Sequence, residues 1–249
     1  MEAKQVLEIS LSVGKMLLSN GAESYRVEET IERICRAYNL QCECMVTAKG
    51  VFLSIIDDNN EKVTSLKKVK TRGVDLARID RLNSFSRSLQ DNPISYNEAK
   101  ETLKEIDSLP FFSLPVRIVA AGMTSFVYSL FFNGTIYDAI VSTFISMGIY
   151  YMLDRVSKVG FFQFFFAGFI IGISSLVAEN IFPLVSRGNI ITGGIMILVP
   201  GVPLTNGIKD IIYDDFMSGI VKFGEAMLVV TAMGAGIATA LTLGVGVKW

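Results

Sequence analysis

From residue 116 onward the chain reads as five apolar runs, about 116–132, 136–153, 161–178, 190–209 and 219–246. Each is 17 residues or longer, enough as a helix to cross the roughly 30 Å of bilayer hydrocarbon. Main-chain polar groups in lipid must be satisfied within the structure, and five strands cannot close a barrel, so the runs are expected to be transmembrane helices. Charge divides the chain the same way. Residues 1–115 hold 16 of the 23 Lys and Arg and 17 of the 24 Asp and Glu, whereas the longer remainder holds 7 of each. The first part has the composition of a water-soluble domain, and the net charge of −1 gives no reason to expect nucleic acid as a partner.

The charged part changes period twice. Residues 3–19 are apolar on most sides and predict a largely buried helix. After Asn20-Gly21-Ala22, Val27, Ile31, Ile34 and Tyr38 form the stripe of an amphipathic helix. Residues 41–47, 51–56 and 62–70 then read as short strands, broken at Lys49-Gly50 and at Asp57-Asp58-Asn59-Asn60. Leu76, Ile79, Leu82, Phe85 and Leu89 mark a further helix. Ser95-Tyr96-Asn97-Glu98 is a capping box opening another, with Ala99, Leu103 and Ile106 facing inward. The fold class expected is therefore a membrane protein: an N-terminal cytoplasmic α+β domain (ααβββαα, residues 1–115), then an all-α bundle of five transmembrane helices (residues 116–249). No cleavable leader is expected, since Glu8 and Lys15 interrupt the first apolar stretch.

Several chemistries find no residues. There is no His, so any proton-coupled chemistry falls to carboxylates, Tyr, Cys or Lys. Cys42 and Cys44 point to one face of a strand as packing groups, and with Cys35 their number is odd, so neither a metal site nor a disulfide framework is expected. No cofactor is implied. The run Lys67, Lys68, Lys70 and Arg72 reads as a solvated strand edge, with contact to anionic membrane lipids as the alternative.

Basic residues orient the spans. Arg117, Arg155, Lys158, Lys209 and Lys222 fall on one side and Arg187 and Lys248 on the other, which places the N-terminal domain inside and the C-terminus outside. Pro115 suits the first turn of the first span. Ala121, Ser125 and Ser129, then Gly168 and Gly172, then Ala232, Gly236, Ala240 and Gly244 recur at four-residue spacing and predict close helix packing.

The fourth run carries the most informative segment, Val199-Pro200-Gly201-Val202-Pro203-Leu204-Thr205-Asn206-Gly207. Pro200 and Pro203 cannot donate to the carbonyls of Met196 and Val199, and Gly201 loosens the chain between them, so the helix should break. Freed carbonyls can bind a cation, and the second half-helix, near Thr205 and Asn206, offers N–H groups and a positive dipole to a carboxylate. Pro200, Gly201, Pro203, Thr205 and Asn206 are accordingly the candidate substrate-binding residues, with a kink that only shapes packing as the alternative. Glu225, inside the fifth run, is a candidate proton carrier if it faces the bundle interior; the other reading pairs it with Lys222 near the water. Asp210, Asp214 and Asp215, with Lys209, are gate candidates or a solvated loop. Asp138 is expected at the membrane interface.

Three stretches together carry a resemblance: Gly21-Ala22-Glu23-Ser24-Tyr25-Arg26-Val27-Glu28-Glu29-Thr30, then Met45-Val46-Thr47, then Val199 through Gly207 continuing to Ile208-Lys209-Asp210. In this order they resemble the threonine/serine exporter family over nearly the whole chain. The resemblance implies export of small amino acids, or in some branches of a dicarboxylate such as succinate, driven by the membrane gradient. Fused members carry a second hydrophobic block, so this chain is similar to the larger, YjjP-type subunit of split exporters. The implied partner is a small integral membrane subunit, or a second copy of the chain. In the cytoplasmic motif Glu23, Tyr25, Arg26 and Glu29 bring two acids, a phenol and a guanidinium within two turns, which implies a regulatory or gating role. The rival is a membrane-anchored enzyme with a hydrolase-like domain. Against it, no Ser/His or Cys/His pair and no phosphate-binding loop is present, so no catalytic residue is assigned.

Overall fold

The structure is a computed structural model that describes residues 1–56, 62–70, 73–156 and 160–246. The Asp57–Asn60 strand break, Arg72, Lys158 and Lys248 lie outside the described residues. The chain divides into two compact units, Met1–Pro110 with Val202–Gly224, and Phe111–Gly201 with Glu225–Trp249. Compactness thus groups Val202–Gly224 with the N-terminal residues, where hydropathy groups them with the apolar spans.

In the first unit, α1 (Ala3–Ser19) and α2 (Ser24–Ala37) pack on a three-stranded antiparallel sheet ordered β1-β2-β3 (Gln41–Thr47, Gly50–Ile56, Lys62–Lys68). Val51, Leu53 and Ile55 of β2 alternate onto the helix-covered face and are fully buried, as are Val27, Ile31 and Ile34 of α2. α1 is apolar on most sides because it packs against both α2 and the sheet. Its Gly14 lets Ile31 approach: a Cβ there would lie 2.6 Å from Ile31 Cδ1. Cys42 and Cys44 rest half-buried against this core.

α3 (Leu76–Asp91) and α4 (Tyr96–Asp107) complete the α+β arrangement. The capping box forms as expected, Glu98 accepting the Ser95 N–H at 2.9 Å and Ser95 Oγ accepting the Glu98 N–H at 3.4 Å. Leu76, read as part of the inward face of α3, is exposed, because it is the first helical residue and points ahead of the packed stripe. Arg78, invisible to periodicity, is 3% exposed. It pairs with Asp75 at 2.8 Å and donates to the carbonyls of Ile106, Asp107 and Leu109, satisfying the C-terminal carbonyls of α4.

The second unit contains α5 (Leu114–Phe131), α6 (Ile136–Val156), α7 (Phe162–Ile181), α8 (Arg187–Ile195) and the later part of α10 (Phe216–Gly246). Pro115 occupies the first turn of α5. The expected seams are interior: Ala121, Ser125 and Ser129 are buried on α5. A Cβ at Gly168 would strike the Met233 carbonyl oxygen and one at Gly236 the Phe165 carbonyl oxygen, so α7 and α10 touch backbone to backbone. Asp138, in the first turn of α6, is fully buried within the protein. It accepts N–H groups from Thr135 and Ser186 and the Asn189 amide, at 2.7–2.9 Å, because it caps the adjoining N-termini of α6 and α8.

Among the described residues four helices are long and apolar enough to cross a membrane: α5, α6, α7 and residues Phe216–Gly244 of α10. The expected span at 190–209 is instead two short helices, α8 and α9 (Gly201–Ile212), of 9 and 12 residues. At 1.5 Å per residue each covers about half, or a little more, of the hydrocarbon thickness.

Candidate functional site

The interruption falls where the prolines place it. α8 ends at Ile195, Met196–Leu198 form a turn, and Val199 and Pro200 have no regular structure before α9 begins at Gly201. Pro203 lies in the first turn of α9, where the missing N–H costs nothing. The helix start is therefore at Gly201–Pro203, earlier than the Thr205–Asn206 expectation. The reason is that Pro200 terminates the preceding turn and Pro203, with its fixed φ, is compatible with helix at once. Gly201, Pro203 and Thr205 are exposed, and Pro200 is partly so. Asn206 is buried, and its Nδ2 donates to the Gly21 carbonyl oxygen at 2.8 Å.

That hydrogen bond belongs to a larger junction in the first unit, which unites two of the three stretches that carry the family resemblance. Gly21, at φ +89°, turns the chain from α1 into α2. Glu23 holds the N-cap position of α2 but makes no side-chain cap. The cap comes from α9 instead: Asp210 Oδ1 accepts the Ser24 N–H and Oδ2 the Ser24 hydroxyl, both at 3.1 Å. Lys222 of α10 donates to Asp210 Oδ2 at 2.6 Å and to Ser24 Oγ at 3.1 Å. Ser24 and Asp210 are fully buried, and the Lys222 side chain is 14% exposed. A lone carboxylate at such a place costs several kcal/mol; this one is held by a cation, a hydroxyl and the positive end of a helix.

Around this buried core lies a wetter shell. Lys209 reaches Glu23 at 3.0 Å, and Arg26 reaches its other oxygen at 3.5 Å. Burial, the largest single influence, acts to raise the Glu23 pKa. A backbone hydrogen bond, Lys209 and Arg26 together outweigh it and hold the carboxyl below its ordinary value of 4.5. Tyr25 stacks on Tyr213 with ring centres 4.1 Å apart. Close packing of α9 on α10 needs Gly207, where a Cβ would lie 2.9 Å from the Phe223 nitrogen.

The remaining predicted residues stand apart. Glu29 pairs along its own helix with Arg33 at 2.9 Å. Its neighbour Glu28 is the acid that ties α2 to the sheet, accepting the Val46 N–H at 2.8 Å. Asp214, at φ +64°, makes the exposed turn between α9 and α10, with Asp215 N–H bonded back to the Asp210 carbonyl at 2.8 Å. Glu225 occupies an exposed position on α10. Lys222, three residues before it, pairs with Asp210. Sequence reasoning missed Ser24 and Lys222 as site residues. Ser24 stood inside the quoted motif at a helix start, and Lys222 was legible as an isolated cation in an apolar run. Among the described residues, no group of three or more His, Cys, Asp or Glu side chains can hold a metal ion.

Comparison with known proteins agrees with the motifs that meet here. The family model of the threonine/serine exporter, ThrE, matches residues 8–244. A relative from Mycobacterium tuberculosis named "Probable threonine/serine exporter" is 22% identical over 97% of this chain, which spans only 46% of that relative's length. Relatives named "Probable succinate transporter subunit YjjP" from Klebsiella aerogenes and Escherichia coli are each 24% identical, over 97% of this chain and 95% and 96% of their own length. No solved structure matches. With nearly its whole length matched and its long apolar helices in place, the chain is a multi-pass membrane protein that belongs to the threonine/serine exporter family.

Proposed function

We propose that the chain is a subunit of a secondary-active exporter of small carboxylate-bearing metabolites, threonine and serine or a dicarboxylate such as succinate. The observation that carries this reading is the helix interruption between Ile195 and Gly201 in a segment otherwise apolar enough to span. α8, the break and α9 together make the fourth of five crossings, with the N-terminal domain cytoplasmic and the C-terminus outside. Pro200, Gly201, Pro203, Thr205 and Asn206 hold the substrate carboxylate at the start of α9, the positive end of that helix dipole. Asp210 works as the gate latch, since the Ser24–Asp210–Lys222 cluster fixes α9 to α2, and Glu23, Tyr25 and Arg26 set how firmly it holds. Asp214, in the turn between α9 and α10, completes the gate. The relatives named as subunits support an obligate partner, a small membrane protein or a second copy.

The latch also bears on the enzyme alternative. Ser24 and Lys222 lie within hydrogen-bond distance, as a nucleophile and base would, but Lys222 Nζ is paired with Asp210 at 2.6 Å and the serine is fully buried. This arrangement supports a structural clasp rather than hydrolysis. Proteoliposomes containing the chain with and without its partner subunit, loaded with labelled serine, threonine or succinate, test the proposal. Gradient-dependent efflux is expected, and it should vanish in Pro200→Ala/Pro203→Ala while insertion persists. Absence of flux for all three solutes with the partner present defeats the exporter reading; flux preserved in the double variant removes the break from the mechanism.

A further inference from the structure

The cysteines of the first unit, all free, gather where α2 gives way to β1, and the turn between those elements decides which two are neighbours. α2 ends in a Schellman turn. Asn39 stands at φ +57°, the Leu40 N–H returns to the Cys35 carbonyl and the Asn39 N–H to the Arg36 carbonyl, both at 3.0 Å. Glu28, two turns before Cys35, accepts the Val46 N–H at 2.8 Å, so β1 runs back along the helix it has just left. Strand alternation then turns Cys42, Cys44 and Val46 inward and Gln41, Glu43 and Met45 outward. Cys42 thereby meets Cys35, and the two thiols hydrogen-bond to each other. Cys35 is fully buried, with Ser10 Oγ 3.8 Å from its sulfur on the other side.

The three sulfurs differ in their surroundings. The hydrogen bond to Cys42, together with burial, pushes the Cys35 thiol far above its ordinary value. The same hydrogen bond holds Cys42 below that value, helped by Arg36 and opposed by burial and Glu32. Burial pushes Cys44 up. Cys42, half-buried at the start of an edge strand, is thus both reachable from water and the most readily ionised of the three, with a protonated thiol in contact behind it. An accessible, ionisable sulfur beside a resolving thiol is the arrangement of a redox-responsive pair, and a packing cluster has no need of that asymmetry. We propose that Cys42 is a peroxide-reactive cysteine whose oxidation is resolved by Cys35 as a reversible disulfide. Cys42 Sγ attacks one peroxide oxygen; the S–O bond forms as the O–O bond breaks, and the departing hydroxide takes the thiol proton as water. Cys35 Sγ then displaces the sulfenic hydroxyl. The S–S bond forms, the S–O bond breaks, and the Cys35 proton leaves with that oxygen as a second water.

Peptide mapping by mass spectrometry of the purified full-length chain, fully reduced and then exposed to hydrogen peroxide, tests this. A Cys35–Cys42 link, lighter by two hydrogens and reversed by dithiothreitol, is expected. Before any peroxide, iodoacetamide should modify Cys42 about tenfold or more faster than Cys44. Cys35→Ser keeps a hydrogen-bond donor but cannot resolve, so a Cys42 sulfenic acid should accumulate and be trapped by dimedone. Cys35→Ala removes the donor as well and should slow Cys42 alkylation several-fold, which loss of mere packing would not do. Cys44→Ala should leave each result unchanged, and circular dichroism checks that the variants are folded. Equal alkylation of Cys42 and Cys44 in the folded chain, a peroxide product joining Cys42 to Cys44 or to a second chain, or no oxidation of Cys42 overturns the proposal and leaves three packing thiols. The readout is chemical and independent of transport, so either idea can fail alone.

Discussion

The two units invert each other's packing. The first buries large aliphatic side chains, with Ile31, Ile34, Leu53, Ile55, Leu82 and Leu89 fully enclosed, and shows Lys, Glu and Asp to the outside. The second encloses Ala139, Ala167, Ser125, Ser129 and Ser142 and leaves Phe131, Phe144, Phe166 and Met123 exposed. Water supplies the reason for the first pattern, because apolar area removed from it contributes about 25 cal/mol per Å². Lipid offers no such gain, so helices associate where small residues let backbones meet, and bulky side chains are left to the hydrocarbon. Residues 1–110 follow the first pattern and the second unit the other, while Ile212, Met217 and Ile220, exposed on α9 and α10, carry the second pattern into the first unit.

The strongest attack on this contrast is at the helix contacts of the second unit. Gly168→Leu or Gly236→Leu is expected to prevent α7 and α10 from packing, seen as loss of a monodisperse, cooperatively unfolding species in detergent. Phe166→Leu, on the exposed face, should change stability by less than about 0.5 kcal/mol. Next in size is the buried latch of the first unit. Asp210→Ala leaves Lys222 without its counter-charge and is expected to cost about 3–5 kcal/mol, part of it recovered when Lys222→Met is added. A denaturant titration of both variants checks this, and an unchanged midpoint for Asp210→Ala would show that the cluster is not a clasp.

The smallest effect sharpens the boundary between buried and wet electrostatics. Glu23 has a folded-state pKa below 4.5, so its stabilising contribution is complete above that pH and is lost as pH falls through the folded value. Glu23→Gln should cost up to about 1 kcal/mol at neutral pH, discounted because Lys209 is half exposed, and the gap between variant and native should close in acid. Thermal unfolding from pH 7 to pH 3 reads it directly. A gap that widens in acid has the wrong sign for a depressed carboxylate.

Much of the fold was legible in advance where a local rule acts alone. Val27, Ile31 and Ile34 announce α2, Ser95 and Glu98 announce α4, and Pro200 with Pro203 announce the break, each through a backbone or side-chain constraint felt within a few residues. The same rules gave no partner for Asp138, because hydropathy sees a charge at a span's start and cannot see that the N-terminus of α8 returns to meet it. They gave Asp210, Asp214 and Asp215, with Lys209, as gate candidates or a solvated loop, since nothing local indicates that the α2 N-terminus is the counterpart of Asp210. Arg78 was silent for the same reason: a charged residue on a helix is by default solvated, and only the neighbouring element decides otherwise.

Sequence by itself determined most helix and strand positions, the split between charged and apolar stretches, and where the fourth apolar run is interrupted, because periodicity, length and proline chemistry are local. Only the tertiary structure decided that Asp210 caps α2, that Lys222 rather than solvent neutralises it, and that Asn206 binds the turn at Gly21. Those pairings join residues 185 or more positions apart, or helices that meet only once packed. The free energy that selects them comes from desolvating charges together, a quantity no stretch of chain possesses on its own.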